Sequence, residues 1–285
     1  MSDNVEIFEV GPRDGLQNEA RLIPAADKIA LVDALSACGF RRIEVTSFVS
    51  PKWVPQLADA AEVLAGIARR PGTRYAALTP NVKGLERAIA AGADEVAIFG
   101  AASEGFSRAN INASIDESLA RFAPLVAAAA EAGLPVRGYV SCVTDCPYEG
   151  AVAPAAVARV VAALRDLGCY EISLGETLGR ARPEAVRAML EAVLAEVPAS
   201  RLAGHFHDTA GGALANIEVA LALGVRVFDA AAGGLGGCPY APGAAGNVAT
   251  EAVAARLAAL GLETGIDRAA LARAASFARG LRTAG

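Results

Sequence analysis

A regular alternation most constrains what this chain can become. Eight times a short apolar run gives way to a turn rich in Gly, Pro or polar residues, and then to a longer segment with helical spacing. The runs that read as strands cover 5–10, 42–47, 73–78, 95–99, 136–142, 169–174, a seventh within 201–209, and 227–231. Helices are expected over about 25–38, stopped by Gly39, from after Pro55 to about 70, and up to Ala91. Others are expected from Ser114, where Ser114 and Glu117 make a capping box, over 154–167, from near Pro183 and from near Val248. The segment 100–112 reads as a loop. Eight such units in about 250 residues predict a closed parallel (β/α)8 barrel, the TIM barrel. A doubly wound open sheet fits less well, since no Gly-x-Gly-x-x-Gly follows an early strand. The chain is expected to be one domain over 1–285, with the barrel at about 5–260 and extra C-terminal helices at about 261–285.

Composition narrows the partners. Hydrophobic residues make up 54% of the chain, enough for a large core. A net charge of −5 without any basic run argues against nucleic acid or a membrane surface. No stretch of eighteen residues is apolar and unbroken, so no membrane span is expected. The start, Met1-Ser2-Asp3-Asn4, does not read as a signal peptide. Five scattered cysteines suit a reducing cytoplasm better than a disulfide framework. Cys142 and Cys146 lack the second pair or nearby His of a zinc site.

Both histidines of the chain lie two positions apart, at His205 and His207. On a strand they project to one face, where two neutral imidazoles can hold Zn, Mn, Fe or Co. A bare His-x-His serves equally as a hydrogen-bonded pair at a strand end. The following Asp208-Thr209 and Gly211-Gly212 form a strand-to-helix turn, where binding residues gather, and this favours the ligand reading. Other polar residues break the apolar pattern at the strand ends, the active end of such a barrel. Arg13, Asp14 and Gln17 follow strand one, Glu44 and Ser47 belong to strand two, and Glu176 and Thr177 follow strand six. Cys238 and Asn247 lie in the Gly-rich segment after strand eight. Asp14 with the two histidines makes a two-His, one-carboxylate set, to which Asn247 adds a neutral oxygen, and such oxygen-rich sites suit Mg²⁺ or Mn²⁺. Taken singly, Asp14 also suits a turn cap, Glu44 a barrel salt bridge and Cys238 an inert thiol.

Across nearly its whole length the chain resembles the 3-hydroxy-3-methylglutaryl-CoA lyase family. The most specific runs are Val10-Gly11-Pro12-Arg13-Asp14-Gly15-Leu16-Gln17-Asn18-Glu19 and Thr46-Ser47-Phe48-Val49-Ser50-Pro51-Lys52-Trp53-Val54-Pro55-Gln56. Two more are Arg137-Gly138-Tyr139-Val140-Ser141-Cys142 and Gly234-Leu235-Gly236-Gly237-Cys238-Pro239-Tyr240-Ala241. The resemblance implies a TIM barrel that binds Mg²⁺ or Mn²⁺ and cleaves 3-hydroxy-3-methylglutaryl-CoA to acetyl-CoA and acetoacetate. It implies an acyl-CoA substrate, a homo-oligomer, and work in leucine catabolism and ketone-body formation. On its pattern Asp14, His205, His207 and Asn247 hold the metal. Arg13, Cys238, His205, Glu44 and Glu176 form the catalytic set, with Arg13 on the developing enolate, Cys238 as a loop thiol and Glu44 in support. Gln17, Ser47, Ser173 and Thr177 are the implied substrate contacts.

This sequence departs from the pattern twice. Glu176 stands where the family usually has Asp, which moves the carboxylate by about an ångström or more, enough to affect rate. Ala20 stands where Lys is frequent, removing a cation from the acyl-CoA side. A sister lyase for a bulkier 3-hydroxy-3-alkylglutaryl-CoA is therefore the second reading, and a non-catalytic metal-binding barrel the third.

Overall fold

The computed structural model describes residues 4–236 and 246–283. Eight parallel strands close into a ring in chain order: β1 (Glu6–Glu9), β2 (Arg42–Ser47), β3 (Arg74–Leu78), β4 (Glu95–Ala101), β5 (Val136–Ser141), β6 (Glu171–Glu176), β7 (Leu202–Phe206) and β8 (Val227–Ala230). β1 pairs with β8, Glu6 opposite Val227 and Glu9 opposite Ala230, and this shuts the barrel. The predicted TIM barrel is the fold.

The ring of helices comprises α1 (Ala25–Ser36), α2 (Ala60–Gly66), α3 (Val82–Ala90), α4 (Glu104–Ile111), α5 (Ile115–Glu131), α6 (Pro154–Leu167), α7 (Pro183–Leu194), α8 (Ala213–Ala222), α9 (Thr250–Ala259) and α10 (Arg268–Thr283). The capping box at Ser114 and Glu117 is present at the start of α5. α4 occupies the stretch expected to be a loop. Phe106 anchors it and Asn112 ends it in a left-handed conformation, φ 50°. It has too few apolar residues to show helical periodicity. After β5 comes a small hairpin, Asp145–Cys146 against Gly150–Ala151, also unforeseen. Among the described residues the tail forms one helix, α10, which packs on α1 and α9. No described helix is long and apolar enough to cross a membrane.

Side chains alternate between two environments along each strand. Those pointing outward, such as Ile7, Ile43, Val45, Ile98, Val140, Ile172, Leu174 and Phe228, join the helices in one large apolar core. The barrel's interior is different. Among the described residues its apolar groups are small, such as Phe8 with Val10 and Ala76, and Leu78 with Ala97 and Tyr139. The rest is charged or polar and buried: Arg42, Glu44, Glu95, Arg137, Glu171, Ser173, His205 and Asp229. A third device ties the seam. The buried carboxylate of Glu9 accepts from Gly11 N and Ala232 N, both at 2.9 Å, and from Thr250 Oγ1 at 2.7 Å, joining the end of β1 to the segment after β8 and to α9.

Helix α6 shows how tightly the outer layer is built. Leu164 is wholly buried, and its Cδ1 lies 3.6 and 3.0 Å from where a Cβ would stand at Gly100 and Gly138. The two glycines leave room for this one side chain. Leu164→Ala is expected to open a cavity between α6 and strands β4 and β5, lowering stability by about 2–5 kcal/mol. A shift of the denaturant midpoint with an unchanged slope checks this.

Candidate active site

The turn after β1 carries the first charged groups. Gly11–Gly15 forms one tight helical turn in which the amides of Asp14 and Gly15 donate to Val10 O at 2.8 and 3.3 Å. Neighbouring groups fix its place. A Cβ at Gly11 would stand 2.6 Å from Glu9 Oε1, and one at Gly15 would stand 2.6 Å from Leu235 Cβ. From this turn Arg13 reaches two carboxylates, donating from Nε to Glu44 Oε2 and from Nη1 to Asp14 Oδ1, each at 2.6 Å. Tyr139 donates its hydroxyl to the same Glu44 oxygen at 3.1 Å and lies with its ring 5.4 Å from the guanidinium carbon. Among the described residues the buried Glu44 Oε1 has no partner. Burial raises the pKa of Glu44 against the opposing pull of Arg13.

The histidines stand opposite this turn. His205 is in β7 and His207 immediately after it, held by a bridge to Asn247. Their ring centroids are 5.3 Å apart, so they do share a face. His205 Nε2 lies 3.9 Å from Asp14 Oδ2, too far for a hydrogen bond. Asn247 donates from Nδ2 to that same Asp14 oxygen at 2.7 Å. On its other side His205 presents Nδ1 to Asp229 Oδ2 at 3.2 Å.

These residues fit a divalent cation. One donor atom each from Asp14, His205 and His207 lies within 4.8 Å of the others. Two ligands about 2.1 Å from a common ion stand about 3.0–4.2 Å apart, and the separation of His205 Nε2 from Asp14 Oδ2 falls in that range. Among the described residues the buried His207 Nδ1 has no hydrogen-bond partner. The protonation states also suit ligation. Burial disfavours the charged form of Asp14, yet Arg13 and the two imidazoles outweigh it and hold the pKa at about 2. Burial, with the neighbouring His205, pulls His207 down to about 4 and keeps it neutral. For His205 burial pulls downward, but Asp229 and Asp14 prevail and raise the pKa.

Of the other expected residues, Gln17 is half-buried just beyond the turn after β1. Ser47 is buried, and its hydroxyl accepts from Val49 N at 3.2 Å, bracing the turn after β2. Glu176 ends β6, buried, with Oε1 accepting from Thr144 Oγ1 at 3.5 Å and Oε2 without a partner among the described residues. Burial raises its pKa. Thr177 follows it, half-buried. Ser173 is not at the open end. It is fully buried and donates to Asp229 Oδ2 at 2.7 Å, beneath the imidazole of His205. Cys238 lies outside the described residues. Sequence reasoning missed Tyr139, Asp229 and Arg137, which meet the site from strands β5 and β8. Arg137 and Tyr139 lie in one of the family-specific runs without a role attached to them, and the signal for Asp229 was a charged side chain inside an apolar strand run.

Comparison with known proteins decides the relationship. The HMGL-like family model matches residues 4–278. The chain belongs to this family. It is 59% identical to a mitochondrial hydroxymethylglutaryl-CoA lyase of Bos taurus, over 96% of this chain and 84% of that one. It is 58% identical to a Pseudomonas aeruginosa protein named 3-hydroxy-3-isohexenylglutaryl-CoA/hydroxy-methylglutaryl-CoA lyase, over 95% of this chain and 90% of that one. Its fold superposes on the crystal structure of the HMG-CoA lyase from Brucella melitensis with a TM-score of 0.97, at 60% identity, covering 98% of this chain and 99% of that one.

The donor set carries a direct test. Removing a ligand from it, in His207→Ala, is expected to weaken Mn²⁺ binding by more than about 100-fold, beyond the effect of losing an outer-shell partner. Thermal stability without metal should fall only by what a buried imidazole and its backbone bond at Thr177 contribute, and this is measured separately. Titration calorimetry beside a melting curve reads both. Unchanged affinity would remove His207 from the set.

Proposed function

We propose that this chain is a divalent-metal-dependent lyase that cleaves 3-hydroxy-3-methylglutaryl-CoA to acetyl-CoA and acetoacetate. The observation that carries the reading is the Asp14, His205 and His207 donor set beside the Arg13 guanidinium, at the C-terminal end of the barrel. Family membership at this identity supports it. The reaction removes the proton of the C3 hydroxyl, breaks the C2–C3 bond to leave a ketone, and returns a proton to the thioester enolate. A divalent cation, Mg²⁺ or Mn²⁺, held by Asp14, His205 and His207 with Asn247, would supply the Lewis acidity that makes the hydroxyl proton easy to remove.

The protein's own groups supply the rest. Arg13 is held at Nε by Glu44 and at Nη1 by Asp14, so its planar group is fixed before substrate arrives. A fixed guanidinium beside the thioester oxygen stabilises negative charge as it develops, as an oxyanion hole does. Glu44 maintains that orientation, and Tyr139 supports Glu44. We assign Cys238 as the acid that protonates the enolate carbon. Gln17, Ser47 and Thr177 would line the substrate's path, whereas Ser173 supports the site from below. A second reading, a lyase for larger 3-alkyl groups, takes Glu176 as part of a changed pocket. The Pseudomonas relative carries both an isohexenyl and a methyl substrate in its name. We assign the reaction to ketone-body formation because acetoacetate is a product, to leucine catabolism on the family resemblance alone, and to the cytoplasm on the four described cysteines, all free and buried.

Product analysis by mass tests this. Metal-loaded protein is incubated with a panel of 3-hydroxy-3-alkylglutaryl-CoAs. Acetyl-CoA with acetoacetate is expected from the methyl substrate, and acetyl-CoA with a longer 3-oxo acid would establish the second reading. Absence of cleavage across the panel would leave a non-catalytic barrel. In the same assay Arg13→Lys should lower kcat by about 10²–10³-fold with little change in KM. Cys238→Ser should lose turnover while still binding metal.

A further inference from the structure

His205 has two ring nitrogens, and its value as a ligand depends on which carries the proton. Its Nδ1 is directed not to solvent or a carbonyl but to a buried carboxylate, Asp229 Oδ2, at 3.2 Å. The two residues are register partners on neighbouring strands β7 and β8. Asp229 is itself held on every side. Arg137 grips it with two parallel bonds, Nη1 to Oδ2 at 3.0 Å and Nη2 to Oδ1 at 2.6 Å, and Ser173 donates to Oδ2 at 2.7 Å. Arg137 has no freedom of its own. Its Nε donates to Glu171 Oε1 at 2.6 Å, and its guanidinium carbon lies 4.5 Å from the Phe8 ring and 4.8 Å from the Tyr139 ring. All of these side chains are buried.

We infer that Asp229, clamped by Arg137 and Ser173, is the positioning residue that fixes His205 as its Nδ1–H tautomer and turns Nε2 toward Asp14 and the cation. Every donor facing Asp229 is fixed, so both of its oxygens act as acceptors. The imidazole hydrogen must then sit on Nδ1, which leaves the Nε2 lone pair for the metal. An anion in that place also raises the electron density of the ligating nitrogen, as a carboxylate behind a ligating His does elsewhere. The inference rests on the reading of Asp14, His205 and His207 as the metal site. It goes further in assigning that site's geometry to a residue on another strand.

The chain has only two histidines, so the imidazoles are readable directly. Long-range ¹H–¹⁵N correlation on the untagged, metal-free protein, at a pH where both rings are neutral, reports each tautomer, and His207→Gln assigns the signals. His205 is expected with its proton on Nδ1, and a proton on Nε2 overturns the inference. The second measurement is Mn²⁺ affinity by calorimetry. Asp229→Asn should weaken binding by about 10–100-fold and shift the His205 tautomer, with kcat affected more than KM. A folded Asp229→Asn that binds Mn²⁺ as the wild type does also overturns it. A purely structural role would lower the melting temperature and leave affinity intact. If the variant does not fold, the wild-type tautomer decides. Failure of the wild type to bind Mn²⁺ at all would instead refute the metal-site reading.

Discussion

The bidentate ion pair of Arg137 with Asp229 is the interaction on which the inside of this barrel depends. Guanidinium and carboxylate are both fully buried. Neither tolerates that position alone, since removing one partner of such a pair costs about 3–5 kcal/mol. Together with Glu171 and the two flanking rings they form a rigid centre linking β5, β6 and β8. Below it, Arg42 forks onto Glu171 and reaches Glu6, toward the N-terminal end of the strands. Above it, Asp229 meets His205, and the site's charges follow through Asp14 and Arg13 to Glu44. Burial of Asp229 opposes its ionisation, but Arg137 and His205 keep its pKa well below the usual carboxylate range.

The apolar work of folding is thereby separated from the chemistry. Strands and helices adhere through the outer core, which needs nothing from the lumen. The lumen is free to carry an ionic lattice that would be a poor source of stability but is a stiff support for ligands. Stiffness matters because a site misplaced by about 1 Å can lose about 100-fold in rate. Tyr139 serves both regions: its ring packs with Leu78 and Ala97, and its hydroxyl braces Glu44 beside Arg13.

What could be read in the sequence follows from this division. The eight strand–helix units were legible because the outer core imposes local periodicity on each one. The histidine pair and Asp14 were legible because the chain has no other histidines and because a carboxylate in a Gly/Pro turn has little to pack against. Arg137 and Asp229 were opaque for the opposite reason. They are 92 positions apart, each alone in an apolar run, and nothing local records that they meet. Ser173 is a substrate contact only on the family resemblance, and its surroundings are not local either. Its actual partner is a carboxylate 56 positions further on. Helix α4 escaped because one buried ring, Phe106, makes no period.

The bond from Asn247 to Asp14 joins residues 233 positions apart, one after the first strand and the other after the last. It therefore sets a clock on synthesis. At about 5–20 residues per second, some 10–50 s separate the appearance of one partner from that of the other on the ribosome. For most of that interval β8, the neighbour of β1, has not yet been made. The histidines emerge late, and the ring can close only after β8 has been made. The candidate cation site is thus completed late in synthesis, and no product that ends before Asn247 carries all of its residues.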